Sequence, residues 1–222
     1  LKEKAGSLAP SPSGGEVTVI SMGAENAKES LRKALAMGAD KAVLLVDPAF
    51  ENSDALDTAR ALAKAVSKQP PFDLIFCGQQ GAGADQSQVG VILAEMLGVA
   101  HVNLVVKLEL LDGALRAERE IEGGREVVEC PRPAVIMAQK GLNEPRYPSL
   151  KGIMAAKKKE IAVMGLADLG LSPGEAGEKG ARTKIVKLEL PPTKAAGRVI
   201  TGEPKDAAKE LARVLREERK VL

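Results

Sequence analysis

The sequence predicts an α/β protein built on a parallel sheet, carrying an antiparallel hairpin and ending in an arm. Strands alternate with helices three times between Glu16 and Gly98, the rhythm of βαβ units. Two of those strands, Lys41–Pro48 and Phe72–Gly78, are continuous apolar runs, as in strands covered on both faces. After Val102 charged and apolar residues alternate instead, which marks antiparallel ribbon.

The elements follow in order. Leu1–Gly6 reads as the tail of a helix already under way, and Ser7–Gly15 as a loop rich in Ser, Pro and Gly. Glu16–Gly23 has the branched, alternating residues of a strand. Ala24–Met37 places Ala27, Leu31, Ala34 and Leu35 at helical spacing and closes on Gly38. Ser53 is the expected cap of a helix over Asp54–Lys68, whose apolar side carries Leu56, Ala59, Leu62, Ala63 and Val66. The third strand leads through GQQGAGADQSQ into a helix near Ser87–Leu97, ended by Gly98. Asp112-Gly113 and Gly123-Gly124 are tight-turn signals, and Pro133–Gln139 is a further apolar strand placed to return to the main sheet. Gly165–Gly180 has no clear period and reads as an extended arm. Pro204–Lys220 closes the chain as a helix with Ala207, Ala208, Leu211, Val214 and Leu215 on one side.

Composition removes several function classes. With 32 basic and 30 acidic residues the net charge is +2, which argues against a generally basic nucleic-acid binder. The chain has no Trp, one Tyr and three Phe, so it lacks the rings on which single-stranded bases stack. One His and two distant Cys leave little from which to build a tetrahedral metal site or a nucleophile–base pair. His101 lies in a strand-like context and Cys77 in an apolar run, and both read as structural. No run approaches the ~20 apolar residues that cross a membrane.

Ligands of open α/β sheets bind beyond the carboxyl ends of the strands. Two loops there have suitable chemistry: Ser21–Asn26, and the longer Gly78–Gly90. In the longer loop the glycines let backbone N–H groups approach a ligand closely. Ser87 and the free N–H groups of the following helix suit phosphate oxygens. Gln79, Gln80, Gln86 and Gln88 add amide donors and acceptors, and Asp85 suits a helix cap or a ribose hydroxyl. Neither the dinucleotide fingerprint nor the Walker pattern is present, so composition leaves a plain flexible loop open as well.

The segment LNEPRYPSLKGIMAAKKK, Leu142–Lys159, is a different case. Pro145 and Pro148 exclude a central strand, yet Leu150, Ile153 and Met154 cluster as few surface loops allow. It reads as a loop made to touch a partner.

That segment, with ALAMGADKAVLL at Ala34–Leu45, REIEGGREVVE at Arg119–Glu129 and DLGL at Asp168–Leu171, resembles the β subunit of electron transfer flavoproteins. The resemblance runs along essentially the whole chain. It implies a Rossmann-like fold of the adenine-nucleotide α-hydrolase-like kind over residues 1–164, with the recognition loop at 142–154. It further implies that residues 165–222 form an arm and helix packing on an α subunit. The family normally begins with a strand and helix upstream of Leu1 that contribute contacts to AMP and FAD.

The resemblance implies no catalytic residues and no metal, but an electron carrier. FAD is held mainly by the α subunit and a structural AMP by the β subunit. The AMP contacts map to Met22 and to Gly78, Gln79, Gln80, Gly81, Ala82, Gly83, Ala84, Asp85, Gln86, Ser87, Gln88 and Val89. The partner contacts map to Asn143, Glu144, Pro145, Arg146, Tyr147, Leu150, Ile153 and Met154, with Leu150 as the anchor that enters a dehydrogenase. Implied partners are the α subunit, flavin dehydrogenases of the acyl-CoA type and a membrane quinone oxidoreductase. The implied compartment is the cytoplasm of a bacterium or the mitochondrial matrix of a eukaryote. Electron-bifurcating relatives hold a second FAD where AMP sits, and the absence of Gly-Asp-Thr from this loop points to AMP. A nucleotide-binding enzyme or a stress-type protein of the same fold is the alternative.

Overall fold

The computed structural model describes residues 15–193 and 197–221. The helix tail read at Leu1–Gly6 and the loop residues Ser7–Gly14 lie outside them. Clustering of contacts divides the chain into two units, Leu1–Lys184 and Ile185–Leu222.

In the first unit, β1 (Thr18–Met22), α1 (Ala27–Ala36) and β2 (Lys41–Leu45) form a parallel βαβ unit. Ala42–Leu45 are buried on both faces of β2. Because side chains alternate along a strand, Ala42 and Leu44 join Leu31 and Leu35 of α1, while Val43 and Leu45 face Phe50, Ala61 and Ala65. Each buried leucine contributes about 2 kcal/mol, and β2 feeds two clusters at once.

Helix α2 (Ala55–Ser67) begins one residue later than a Ser53 cap requires. Asp54 is the cap, its carboxylate accepting from the amides of Leu56 and Asp57 at 3.0 and 3.1 Å. The Ser53 hydroxyl instead accepts from the Gly177 amide. Nor is α2 apolar on one side only. Ala61 and Ala65 pack toward β2, Ala59 and Ala63 toward Leu93, and Asp57 is fully buried. Small alanines let neighbours approach from two directions, which a search for one stripe of large residues misses.

A parallel sheet does not run through the first three strands. β3 (Leu74–Gly78) pairs with β7 (Ala134–Ala138) and, with β4 (Ala100–Leu110), β5 (Ala114–Ile121) and β6 (Gly124–Pro131), gives a five-stranded sheet in the order β3-β7-β4-β5-β6, while β1, β2 and β8 (Ala162–Met164) form another of three strands. Between β3 and β4 lies α3 (Val89–Leu97), which ends on Gly98 at φ 66°. β4, β5 and β6 form the antiparallel meander, with Gly113 and Gly123 at positive φ in the two turns. Its wet face is a ladder of exposed pairs such as Lys107–Glu118 and Arg119–Glu126.

Residues 165–184 belong to this first unit and are not loose. Leu166, Leu169, Leu171 and Ala176 are buried beside Val43, Leu45 and Phe50. A short helix, α5 (Gly177–Gly180), follows. The leucines sit at uneven spacing, so no period announced them.

In the second unit an exposed run to Thr193 shows Ile185, Val186, Leu188 and Leu190 to solvent. Helix α6 (Pro204–Arg213) continues as a wider π turn over Val214–Glu218, so the closing helix changes pitch within its last turns. Arg213 donates to Glu210 and Glu218 at 2.8 Å, and Arg198 donates to Glu210 at 2.9 Å. The hydrogen bond from Arg213, then the charges of Arg213 and Arg198, hold the Glu210 carboxyl down at about 2.

Candidate functional site

The loop after β3 is built on the open ends of β3, β7 and β4. The Gln79 amide donates to the Ala138 carbonyl at 3.1 Å and extends the β3–β7 pairing by one residue. The Gln79 side-chain oxygen accepts from the Leu104 amide at 2.8 Å. Leu104 has φ 55° at the point where the β4–β7 register shifts, so the Gln79 side chain reaches past β7 to a bulge in β4.

Beyond it the chain folds on itself. The Gln80 amide donates to Asp85 at 2.9 Å, the Ser87 hydroxyl donates to Gln80 at 2.6 Å, and the Asp85 amide reaches the Gly81 carbonyl. Asp85 and Ser87 hold φ of 46° and 53°, and Gly83 of 89°. Three left-handed residues within five turn the backbone tightly, with the cost in conformational energy that functional loops carry. Gly78, Gly81, Ala82, Ala84, Gln86 and Gln88 are exposed; Val89 is half-buried and packs beneath the loop.

Helix α3 starts here without a side-chain cap at Gln88. Its first amides are thus open to an anion, in keeping with the helix dipole. Gly90, its second residue, is buried where a Cβ would run into the Met137 side chain and meet Cys77. Glycine lets the helix start lie hard against the sheet, close enough for main-chain N–H groups to face whatever the loop holds. Gly90 closed the loop read from the sequence, but its close packing on Met137 depends on a strand distant in sequence.

Chemically the loop offers glycines, amides, one hydroxyl and one carboxylate, a set that fits the phosphate and sugar of a nucleotide. Burial pushes up both the Cys77 and Cys130 thiols, which keeps them protonated at neutral pH. Among the described residues no cluster of three His, Cys, Asp or Glu is placed to hold a metal, and no helix is long and apolar enough to cross a membrane. Met22 ends β1 and packs partly buried against the Val43–Phe50 cluster, so it and the longer loop close strands of different sheets. An open cleft of about 440 Å³ lies instead at the starts of β2 and β8, lined by Lys41, Val43, Lys159 and Ala162. That is the opposite end of the strands from where such sheets bind ligands.

The segment 142–154 is not one loop. Residues Asn143–Ser149 are irregular, and α4 (Leu150–Lys158) begins at the proposed anchor itself. Ser149 caps it, its hydroxyl accepting from the Gly152 amide at 3.0 Å. Leu150 is 78% exposed and Tyr147 94%. Ile153, Met154, Asn143, Glu144, Pro145 and Arg146 are exposed too. A Ser followed by apolar residues at 150, 153 and 154 was a readable helix start; the two prolines masked it.

A family model described as the electron transfer flavoprotein domain matches residues 1–169. The chain is 46% identical over 199 residues to the electron transfer flavoprotein subunit beta of Thermoanaerobacterium thermosaccharolyticum, covering 89% of this chain and 76% of that one. It is 40% identical over 210 residues to the subunit of that name from Bacillus subtilis, covering 94% and 80%. With the one from Syntrophomonas wolfei it shares 41% over 197 residues, covering 89% and 73%. The chain belongs to the electron transfer flavoprotein family, among its β subunits.

Proposed function

We propose that this chain is one half of a heterodimeric electron carrier, pairing with an α subunit that holds most of an FAD. The pair takes electrons from flavin dehydrogenases of the acyl-CoA type and delivers them to a membrane quinone oxidoreductase. The names of its relatives support the pairing. When bound, the flavin supplies the electron-accepting chemistry; the residues of this chain bind, orient and dock.

The observation that carries the docking role is the exposed Leu150 at the first position of a capped helix, after a segment stiffened by Pro145 and Pro148. An apolar anchor on a rigid support loses little entropy when it enters a pocket. The exposed Ile185, Val186, Leu188 and Leu190 of the second unit supply apolar surface for the α subunit to cover. The loop Gly78–Val89, backed by the uncapped start of α3, would hold the phosphate and ribose of an AMP. The compartment is the cytoplasm of a bacterial host, or the matrix of a mitochondrion.

Two measurements test this. Nucleotides released by denaturing the purified complex should be one FAD and one AMP per heterodimer. Two FAD without AMP would make it a bifurcating relative, and FAD alone would remove the nucleotide role of the loop. Leu150→Ala should slow reduction by the dehydrogenase while assembly stays intact, and equal loss of assembly would sink the anchor.

A further inference from the structure

The outward face of α4 is the docking element proposed above, and the inference here rests on that reading. Its inward face is joined to α1 at three heights. At the N-terminal turn Gly152 lies so close to the Ala36 carbonyl oxygen that any Cβ would overlap it. In the middle Ala156 is buried with Leu31 and Leu35. At the C-terminal turn the Arg32 guanidinium donates to the carbonyls of Ala156, at 2.6 Å, and Lys159. The exchange is mutual, since the Lys159 ammonium donates to the Ala39 carbonyl just past α1, also at 2.6 Å.

Gly152, Ala156 and Lys159 follow one another at helical spacing and form the seated face. Leu150, Ile153 and Met154 are on the exposed one. The last carbonyls of a helix need partners, and here a side chain of another helix supplies them. The helix is therefore held at both ends by α1, which fixes the direction in which Leu150 points together with the capped, proline-stiffened segment before it.

We propose that Gly152 and Arg32 are positioning residues for docking: they hold Leu150 in the orientation that enters the partner, without touching that partner themselves. Restraining an anchor before binding raises affinity by reducing the ordering cost of the complex. Loosening the seat therefore acts on the apparent affinity for the dehydrogenase and not on the transfer step.

The test uses the assembled heterodimer, with an acyl-CoA dehydrogenase of the same organism charged with its acyl-CoA as electron donor. Gly152→Ala is expected to raise the KM for the carrier about tenfold while kcat holds. Arg32→Met should raise KM by several-fold, and Arg32→Lys, which keeps a donor, should restore part of the loss. Leu150→Ala runs alongside. If Leu150→Ala raises KM and neither Gly152→Ala nor Arg32→Met does, the seat has no positioning role and the proposal fails alone. If Leu150→Ala leaves KM unchanged, the docking reading fails and takes the proposal with it. Should Gly152→Ala not assemble, the Arg32 pair decides, and an Arg32→Lys no better than Arg32→Met overturns it.

Discussion

The Asp54 carboxylate accepts from the backbone amide and the hydroxyl of Thr183, 129 positions further along the chain. The same oxygen takes the Arg182 amide at 2.7 Å, while the other caps α2. Asp47 grips the Leu166 amide in a similar way. Two carboxylates thus strap residues 165–184 down, mostly by their main-chain N–H groups.

The strap should open in acid. Burial works to raise the Asp54 carboxyl, but the amides of Asp57, Arg182 and Thr183 outweigh it and hold the group below its ordinary value. The amides of Ala49 and Leu166 lower Asp47 in the same direction. A depressed folded-state value stabilises the fold above the unfolded pKa of about 4, and that contribution is lost as pH falls through the folded value. The protection of the Leu166, Arg182 and Thr183 amides, their exchange measured against the intrinsic rate at each pH, should be high at neutral pH and fall below pH ~4. Asp54→Ala, which also removes the cap, should cost about 1–2 kcal/mol at neutral pH.

Asp57 is the opposite case. Burial pushes its carboxyl up, against the hydrogen bond and charge of Arg60, 2.5 Å away. A raised carboxyl favours the fold at low pH, and that advantage disappears as pH rises through the folded value. Arg60→Met should therefore cost about 3 kcal/mol at neutral pH by taking the hydrogen-bonded partner from a buried carboxyl. Asp57→Asn with Arg60→Met should cost clearly less than the sum of the two. Denaturant melts of all three variants check this, and additive costs would show that the pair is not coupled.

Gly90→Ala should destabilise the first unit by about 1–3 kcal/mol, because the new methyl overlaps Met137. Met137→Val in the same chain should recover most of the loss. If the loop holds AMP, Gly90→Ala should also release it on gel filtration, and the double variant should retain it.

Gly177 has φ 64°, and a Cβ there would strike the carbonyl oxygens of Ala49 and Glu51. Gly177→Ala should loosen the backbone around it, so that trypsin cuts after Lys179 and Arg182 at protease levels that leave these bonds intact in the parent.

Much of this was legible beforehand, because periodicity reports what an element buries. β2 read as covered on both faces and is buried from Ala42 to Leu45. The meander read from its turns, and Gly113 and Gly123 hold the positive φ those turns need. What escaped is set by contacts distant in sequence. Nothing near Gly165–Gly180 says that Asp47 and Asp54 will hold the following chain, and uneven leucines at 166, 169 and 171 carry no period. β3 read as a strand of the same parallel sheet as β1 and β2, covered on both faces, yet it is only partly buried with Phe76 exposed, and its register partner Ala134 arrives sixty residues later. At the candidate site the hydrogen-bonding groups that Gly78–Val89 carries were readable residue by residue. The Gln79 hold on the Leu104 bulge and the Arg32 clamp were not, since each is one side chain reaching a distant main chain.

The strap has a consequence for how such chains diverge. A carboxylate that holds amide N–H groups makes few demands on the side chains it passes, so nearly any residue can occupy positions 182 and 183. Substitutions can accumulate there while the path of the chain stays the same. The family match ends at residue 169, whereas the packed unit runs on to Lys184. Fifteen residues of the packed unit therefore lie beyond the family match, and their path rests on Asp54 and Gly177.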